Sequence, residues 1–179
     1  MVDIETLGLQ PSSVILSIGA VVFDISNKEI APKDFYVELN SDQPGRTCDK
    51  STIEWWMKQE IARPEGRETV YGASDRLNFW LSAVKNNYPG DLEVWANGTD
   101  FDITILTHMF RSVENTIPWK YNAVRDYRTL YKLFPEVPRP KMDSSKKHNA
   151  LEDAKHQAAH AEAIFAHIRM LNDVYADKG

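Results

Sequence analysis

The apolar residues of this chain change their rhythm along its length, and each rhythm predicts an element. Residues 14–23, Val-Ile-Leu-Ser-Ile-Gly-Ala-Val-Val-Phe, are an almost unbroken apolar run rich in β-branched side chains, the pattern of a buried strand. Residues 35–39 alternate apolar and polar, which predicts a strand with one wet face. Residues 1–5 read as the end of a first strand, short enough that the natural chain is expected to begin a few residues earlier. The opening third is thus expected to be a three-stranded antiparallel meander. Helical spacing follows. Ser51-Thr-Ile-Glu54 has the form of a capping box, with Ser51 as N-cap and Glu54 reaching back. Ser74 is placed to cap a second helix, in which Leu77, Trp80, Leu81, Val84 and Tyr88 recur at helical spacing. Residues 92–96 predict a strand that ends at Asn97-Gly98. Residues 101–110 predict a helix with Ile103, Leu106 and Phe110 on one side, and residues 121–127 a last strand. A proline-rich loop covers 135–140. The final helix starts after Asn149, where Asn149-Ala-Leu-Glu152 repeats the capping pattern. Its apolar side is Leu151, Ala154, Ala158, Ala161, Phe165 and Ile168.

Strands separated by helices are expected to run parallel, with right-handed crossovers. The order therefore predicts an α/β fold, a mixed five-stranded sheet flanked by helices. The length, 179 residues, suits a single domain over 1–179. Apolar residues at 42% and charged residues at 26% are ordinary for a globular chain, and no stretch approaches the roughly 18 consecutive apolar residues of a membrane span. Asp3 and Glu5 stand where a signal peptide would carry positive charge. Cys48 is the single cysteine, so there is no internal disulfide and no Cys/His cluster for zinc; a reducing cytoplasm is the expected compartment.

A net charge of −5 speaks against a general nucleic-acid binder. Its distribution changes that picture. Residues 120–147 hold eight cationic side chains against three anionic ones, a local net of +5 that leaves −10 for the remainder. The stretch has an ordinary reading as a solvated face, and a second as a guide for a polyanion, with Lys146 and Lys147 nearest the candidate chemistry.

That chemistry lies in three short segments. In Asp3-Ile4-Glu5 the two carboxylates share one face of a strand. At a buried strand end they are costly unless something such as a metal ion offsets their desolvation. In Asn97-Gly-Thr-Asp-Phe-Asp102 a strand turns into a helix, and Asp102 falls in its first turn, where the helix dipole favours a carboxylate; Asp100 reads as a cap. In His148-Asn-Ala-Leu-Glu-Asp153 the break at Asn149 lets His148 fold back over a site that Asp153 enters from the first helical turn. Each segment alone has a plain structural reading: a solvated strand end, a first-turn charge, a surface histidine. Together they place four acids and a histidine at element ends on one side of a sheet. Two divalent ions that act in phosphoryl displacement need several carboxylates, and carboxylate oxygens suit Mg²⁺ or Mn²⁺ rather than zinc. A histidine can take a proton from water near neutral pH.

These residues resemble the DnaQ-like, or DEDDh, 3′–5′ exonuclease superfamily. Asp3-Ile4-Glu5-Thr6 is similar to its first motif, Asn97 with Phe101-Asp102 to its second, and His148 with Asp153 to its third. Asn149 stands where a sister class carries tyrosine. Residues 2–8, 52–56 and 125–130 resemble a branch of phage and prophage exodeoxyribonucleases and bacterial exoribonuclease-like proteins. The resemblance implies a ribonuclease H-like fold and two Mg²⁺ or Mn²⁺ ions. It implies that Asp3 bridges both ions, that Glu5 and Asp153 hold the nucleophile-side ion, and that Asp102 serves the other partly through water. His148 would be the general base, and Thr6 and Leu7 would meet the terminal nucleotide near Asn97. The implied partner is nucleic acid with a free 3′ end, single-stranded or overhanging, with DNA favoured and RNA open; the implied products are nucleoside 5′-monophosphates. Adjacent helical residues lie about 100° apart, so of Trp55 and Trp56 one is a candidate to stack on a base. The other reading makes both core or dimer contacts, and a homodimer is compatible with it. A ribonuclease H-like endonuclease and a nucleic-acid-binding module with a vestigial site are the competing functions.

Overall fold

A computed structural model of the chain describes residues 1–23, 34–88 and 90–176. Strands β1 (Val2–Thr6), β2 (Ile15–Val21) and β3 (Asp34–Glu38) form the expected antiparallel meander. Helices α1 (Lys50–Trp56) and α2 (Val70–Asn87) follow. Then come β4 (Val94–Ala96), α3 (Asp102–Ser112), β5 (Val124–Asp126), α4 (Tyr127–Leu133) and the long α5 (Ala150–Ala176). β4 and β5 pair in parallel, as strands on either side of a helix should. No helix among the described residues is long and apolar enough to cross a membrane.

The fold is α/β, but the described strands form two sheets, β1-β2-β3 and β4-β5, rather than the continuous five-stranded sheet expected. The chain gives a physical reason at their boundary. β1 and β4 are neighbours. Yet the Ile4 N–H, on the β1 edge, donates to the Asp102 carboxylate (3.2 Å) instead of to a strand carbonyl.

Alternation along β1 decides where the chemistry goes. Val2, Ile4 and Thr6 are buried, while Asp3 and Glu5 are only half-buried. Ile4, Ile18 and Val37 share one face and pack with Leu77, Leu81, Ile103, Leu106 and Phe110 into the main core. The opposite face, with Asp3 and Glu5, is crossed by α5, whose Ala154, Ala158 and Ala161 pack with Met1 and Val21. That crossing is close. A β-carbon on Gly19 would lie 2.2 Å from Ala150 C and Leu151 N. Since Gly19 is the register partner of Asp3, the missing side chain is what lets the start of α5 settle over the acidic face. Gly19→Ala is expected to lift that helix end, lower stability by about 1–3 kcal/mol and remove most nuclease activity. Parallel thermal melts and nuclease assays check this; a variant as stable and active as the parent would contradict the packing argument.

Several local expectations are corrected. Asp49, not Ser51, is the N-cap of α1, and it offers no capping bond because its carboxylate accepts from Leu9 N (2.8 Å). α2 starts a turn before Ser74, with Thr69 Oγ1 accepting from Gly72 N (3.0 Å); Ser74 is buried inside the helix and donates to the Tyr71 carbonyl. The strand expected at 121–127 is a 3₁₀ turn at Tyr121–Ala123 followed by three residues of β5, and the helix α4 was not anticipated. Asn149 does cap α5, accepting from Leu151 N and Glu152 N at 3.1 Å each. Glu152 does not close the box, because Lys146 and Lys155 hold its carboxylate.

Candidate active site

Asp3 and Glu5 leave β1 toward α5, and Asp153 meets them from the first turn of that helix. One carboxylate oxygen from each lies within 4.8 Å of the others. Gln157, one turn beyond Asp153, donates from Nε2 to Asp3 Oδ1 (2.8 Å) and so fixes the middle acid. Asp102 is adjacent but apart. It is buried as the first residue of α3, outside the group of three, with one oxygen held by Ile4 N.

Burial and mutual repulsion make this a poor place for negative charge. Burial, then the charges of Asp102 and Asp153, push Asp3 well above the usual carboxylate range. Burial, then Asp3 and Asp153, push Glu5 up to about 9. Burial raises Asp102 to about 8 against the opposing pull of the Ile4 N–H and of Arg128. Burial also raises Asp153, opposed by the backbone N–H of His148 and by the charges of His148, His156 and Lys147. Like-charged carboxylates held this close favour either protons or a cation between them. All the converging donors are hard oxygens, and Gln157 adds a buried Oε1 without a partner. This donor set fits Mg²⁺ or Mn²⁺.

His148 stands at the lip. Its φ of +61° places it in the left-handed region, which turns the chain sharply just before Asn149 starts α5. Its ring meets Trp55 edge-on at 4.8 Å and lies 6.3 Å from Trp56. The His148 backbone N–H bonds the Asp153 carboxylate five residues on, while its ring packs against Trp55.

The family model for the Rv2179c-like domain, described as a 3′-5′ exoribonuclease domain, matches residues 1–165 and so spans all four acids and His148. The chain belongs to this family. It is also similar to the exodeoxyribonuclease of Enterobacteria phage T4, 25% identical over 191 residues that cover 86% of this chain and 82% of that protein. The protein is thus a 3′–5′ exonuclease, a hydrolase of the DnaQ-like type.

In this Rv2179c-like domain the two tryptophans divide. Trp56 is buried with Leu7, Val14 and Leu16, and its Nε1 donates to the Thr6 carbonyl (2.9 Å). Trp55 remains 39% exposed and, with Ile4, Glu5, Thr6, Leu9 and Phe101, lines a cleft of about 290 Å³ beside Glu5. Thr6 is buried, its hydroxyl donating to the Gly8 carbonyl. Leu7, expected at the terminal nucleotide, has its side chain in the core; Leu9, which the sequence did not single out, reaches the cleft instead. Asn97 gives its carbonyl to Arg128 (2.9 Å) and keeps a buried Oδ1 without a partner. Gly98 (φ +104°) makes the turn after it. Asp126 anchors that turn by accepting from Thr99 N as well as capping α4 through Thr129 N. Lys146 is paired with Glu152 at 2.9 Å, whereas Lys147 is exposed, without a partner among the described residues, and its charge acts on Asp153. Gln157 was missed. The signal for it was its position one turn after Asp153 on the same helix. A separate cavity of about 610 Å³ is lined by apolar residues such as Leu81, Trp95 and Phe165 and contains none of the four acids.

Proposed function

We propose that the chain removes nucleotides from the 3′ end of single-stranded or 3′-overhanging nucleic acid and releases nucleoside 5′-monophosphates. In this reading Asp3, Glu5, Asp102 and Asp153 hold two Mg²⁺ or Mn²⁺ ions, and His148 is the general base. The observation that carries it is the convergence of Asp3, Glu5 and Asp153 oxygens within 4.8 Å, next to a histidine held at the lip. When bound, such ions supply Lewis-acid activation and stabilise the charge of an in-line phosphoryl displacement. The chain's own part is positional. Gln157 orients Asp3, the Ile4 N–H orients Asp102, and the His148 backbone N–H orients Asp153. His148 accepts the proton of the attacking water. Trp55 offers its exposed ring to the terminal base, a stacking contact worth roughly 1–3 kcal/mol. The reading takes the chain as one exonuclease domain, and the two sheets as parts of one ribonuclease H-like sheet in which β4 flanks β1.

The names of the relatives divide on the sugar: the family description says exoribonuclease and the phage relative is an exodeoxyribonuclease. We favour DNA on the likeness to the phage protein along most of both chains, with RNA as the second reading on the family description. Matched DNA and RNA oligonucleotides, 5′-labelled and incubated side by side with Mg²⁺, test both. A ladder shortening from the 3′ end with monophosphate products supports the proposal. A single internal cut would mean an endonuclease, and retention without cutting a binding module. The faster-shortened strand names the sugar.

The basic stretch gives a sharper expectation than its charge alone. Lys147→Ala should raise KM and flatten the salt dependence of single-strand affinity by about 0.7 in log–log slope, the worth of one phosphate contact. Lys146→Ala should do less, because Glu152 already holds that ammonium. Equal effects from the two, measured across a salt series, would show that the ion pair does not persist when substrate binds.

A further inference from the structure

On the loop before α1 sits an arginine that the nuclease reading does not use. Arg46 Nε donates to the Ser13 carbonyl (2.8 Å), and Arg46 Nη1 faces His108 Nδ1 on α3 at 3.5 Å. Its Nη2 is buried and has no partner. Burial pulls the guanidinium down to about 10, and no carboxylate offsets it. Among the described residues no acid pairs with Arg46 or with Arg111. Arg111 lies three residues beyond His108, on the same side of α3. Burial, then the charge of Arg46 and that of Arg111, hold His108 below its usual range. A guanidinium only donates, so the Nδ1 facing Arg46 acts as acceptor and the imidazole proton is on Nε2. Two guanidinium groups and an imidazole N–H thus stand together without a carboxylate to balance the charge, in a protein of net −5. A desolvated cation without a counter-charge is costly, and an anion bound beside it, reached from the exposed Arg111, is the natural compensation.

We propose that Arg46, His108 and Arg111 form a second phosphate site, which takes an internal phosphodiester of the strand whose 3′ end enters the carboxylate site. The position supports a strand. α3 begins at Asp102, so at a 1.5 Å rise per residue His108 and Arg111 lie about 9 and 14 Å further along its axis. With phosphates spaced about 3.4 Å along a helical strand, that is a few nucleotides upstream of the scissile bond. The tie from Arg46 to Ser13 holds the site rigidly to the turn between β1 and β2, on which Leu9 reaches the cleft.

The inference rests on the proposed 3′-end chemistry for its choice of ligand, and its test does not need turnover. The full chain is titrated in chelator with a 5′-labelled dinucleotide and octanucleotide over a salt series, using anisotropy. His108→Gln combined with Arg111→Gln leaves the Ser13 anchor intact. It should weaken octanucleotide binding about tenfold, the worth of a charged hydrogen bond, and lower its salt slope by about 0.7. Dinucleotide affinity and the rate of dinucleotide hydrolysis with Mg²⁺ should not change. Arg46→Gln, confirmed folded by its melting curve, should behave alike; if it unfolds, the double variant decides. The imidazole NMR signals of His108 should shift with the octanucleotide. An unchanged octanucleotide affinity and slope overturns the proposal, as does an equal loss for both lengths, which would mean a disturbed fold. A His108 signal moved by orthophosphate alone and not by the octanucleotide also overturns it, in favour of a small-anion site. A parent that binds with the expected length dependence but makes no 3′ ladder would sink the nuclease reading and leave the phosphate site standing.

Discussion

Asp3→Asn is expected to abolish cleavage, by several orders of magnitude, while making the metal-free protein more stable at pH 8 than its parent. Both halves follow from where Asp3 sits. It is the acid shared by the group, within 4.8 Å of Glu5 and Asp153 and repelled by Asp102 as well. Neutralising it removes a proposed cation ligand but keeps an amide oxygen to accept from Gln157, so the packing survives. The sign of the stability effect is fixed by the raised values. Asp3 is pushed well above the ordinary range, Glu5 to about 9 and Asp102 to about 8, whereas in the unfolded chain these groups titrate near their reference values of about 4. The folded state therefore binds more protons than the unfolded state over that window. Stability of the metal-free protein should fall as pH rises from about 4 toward 9, and a divalent cation should restore it most at the alkaline end. Melting curves at pH 5 and pH 8, in chelator and in MgCl₂, read this directly. A parent whose melting temperature in chelator does not fall between those pH values would contradict the electrostatic account. Normal cleavage by Asp3→Asn would sink the assignment of Asp3 as a ligand.

The parts of this site that could be read in the sequence are those with a local cause. The spacing of Asp3 and Glu5 works because strand side chains alternate, and Asn149 was legible because an N-cap is a bond within four residues. His148 and Asp153 came with that cap. What failed was mostly decided across the chain. Ser51 has the right type for a cap, but Asp49 takes the position while its carboxylate serves Leu9. The five-stranded sheet was inferred from element order; the described strands form two sheets, and between them the Ile4 N–H goes to an acid 98 residues away. Lys146 was singled out with Lys147 for its place beside the candidate chemistry, but Glu152, six residues on, holds it. Gln157 and Arg46 carry no motif at all; one is recognised only by the carboxylate it holds and the other only by the carboxylate it lacks.

His148 should prove as important as the acids for turnover and unimportant for binding. Truncation to alanine is expected to lower kcat by about 10²–10⁴, the usual worth of a general base, with KM for a 3′-ended single strand little changed. The loss should appear at saturating substrate, because the variant binds the strand but has no ring to accept the proton of the attacking water. The backbone supplies a control that separates chemistry from structure. A non-glycine residue at φ +61° carries a cost of roughly 1–2 kcal/mol that glycine does not. His148→Gly should therefore melt higher than His148→Ala, yet be equally inactive, since both lack the ring that sits against Trp55. If activity tracked stability between the two, His148 would be a hinge that shapes the entry to α5. Equal inactivity at unequal stability, with kcat rather than KM carrying the loss in both, is the result that makes it the base.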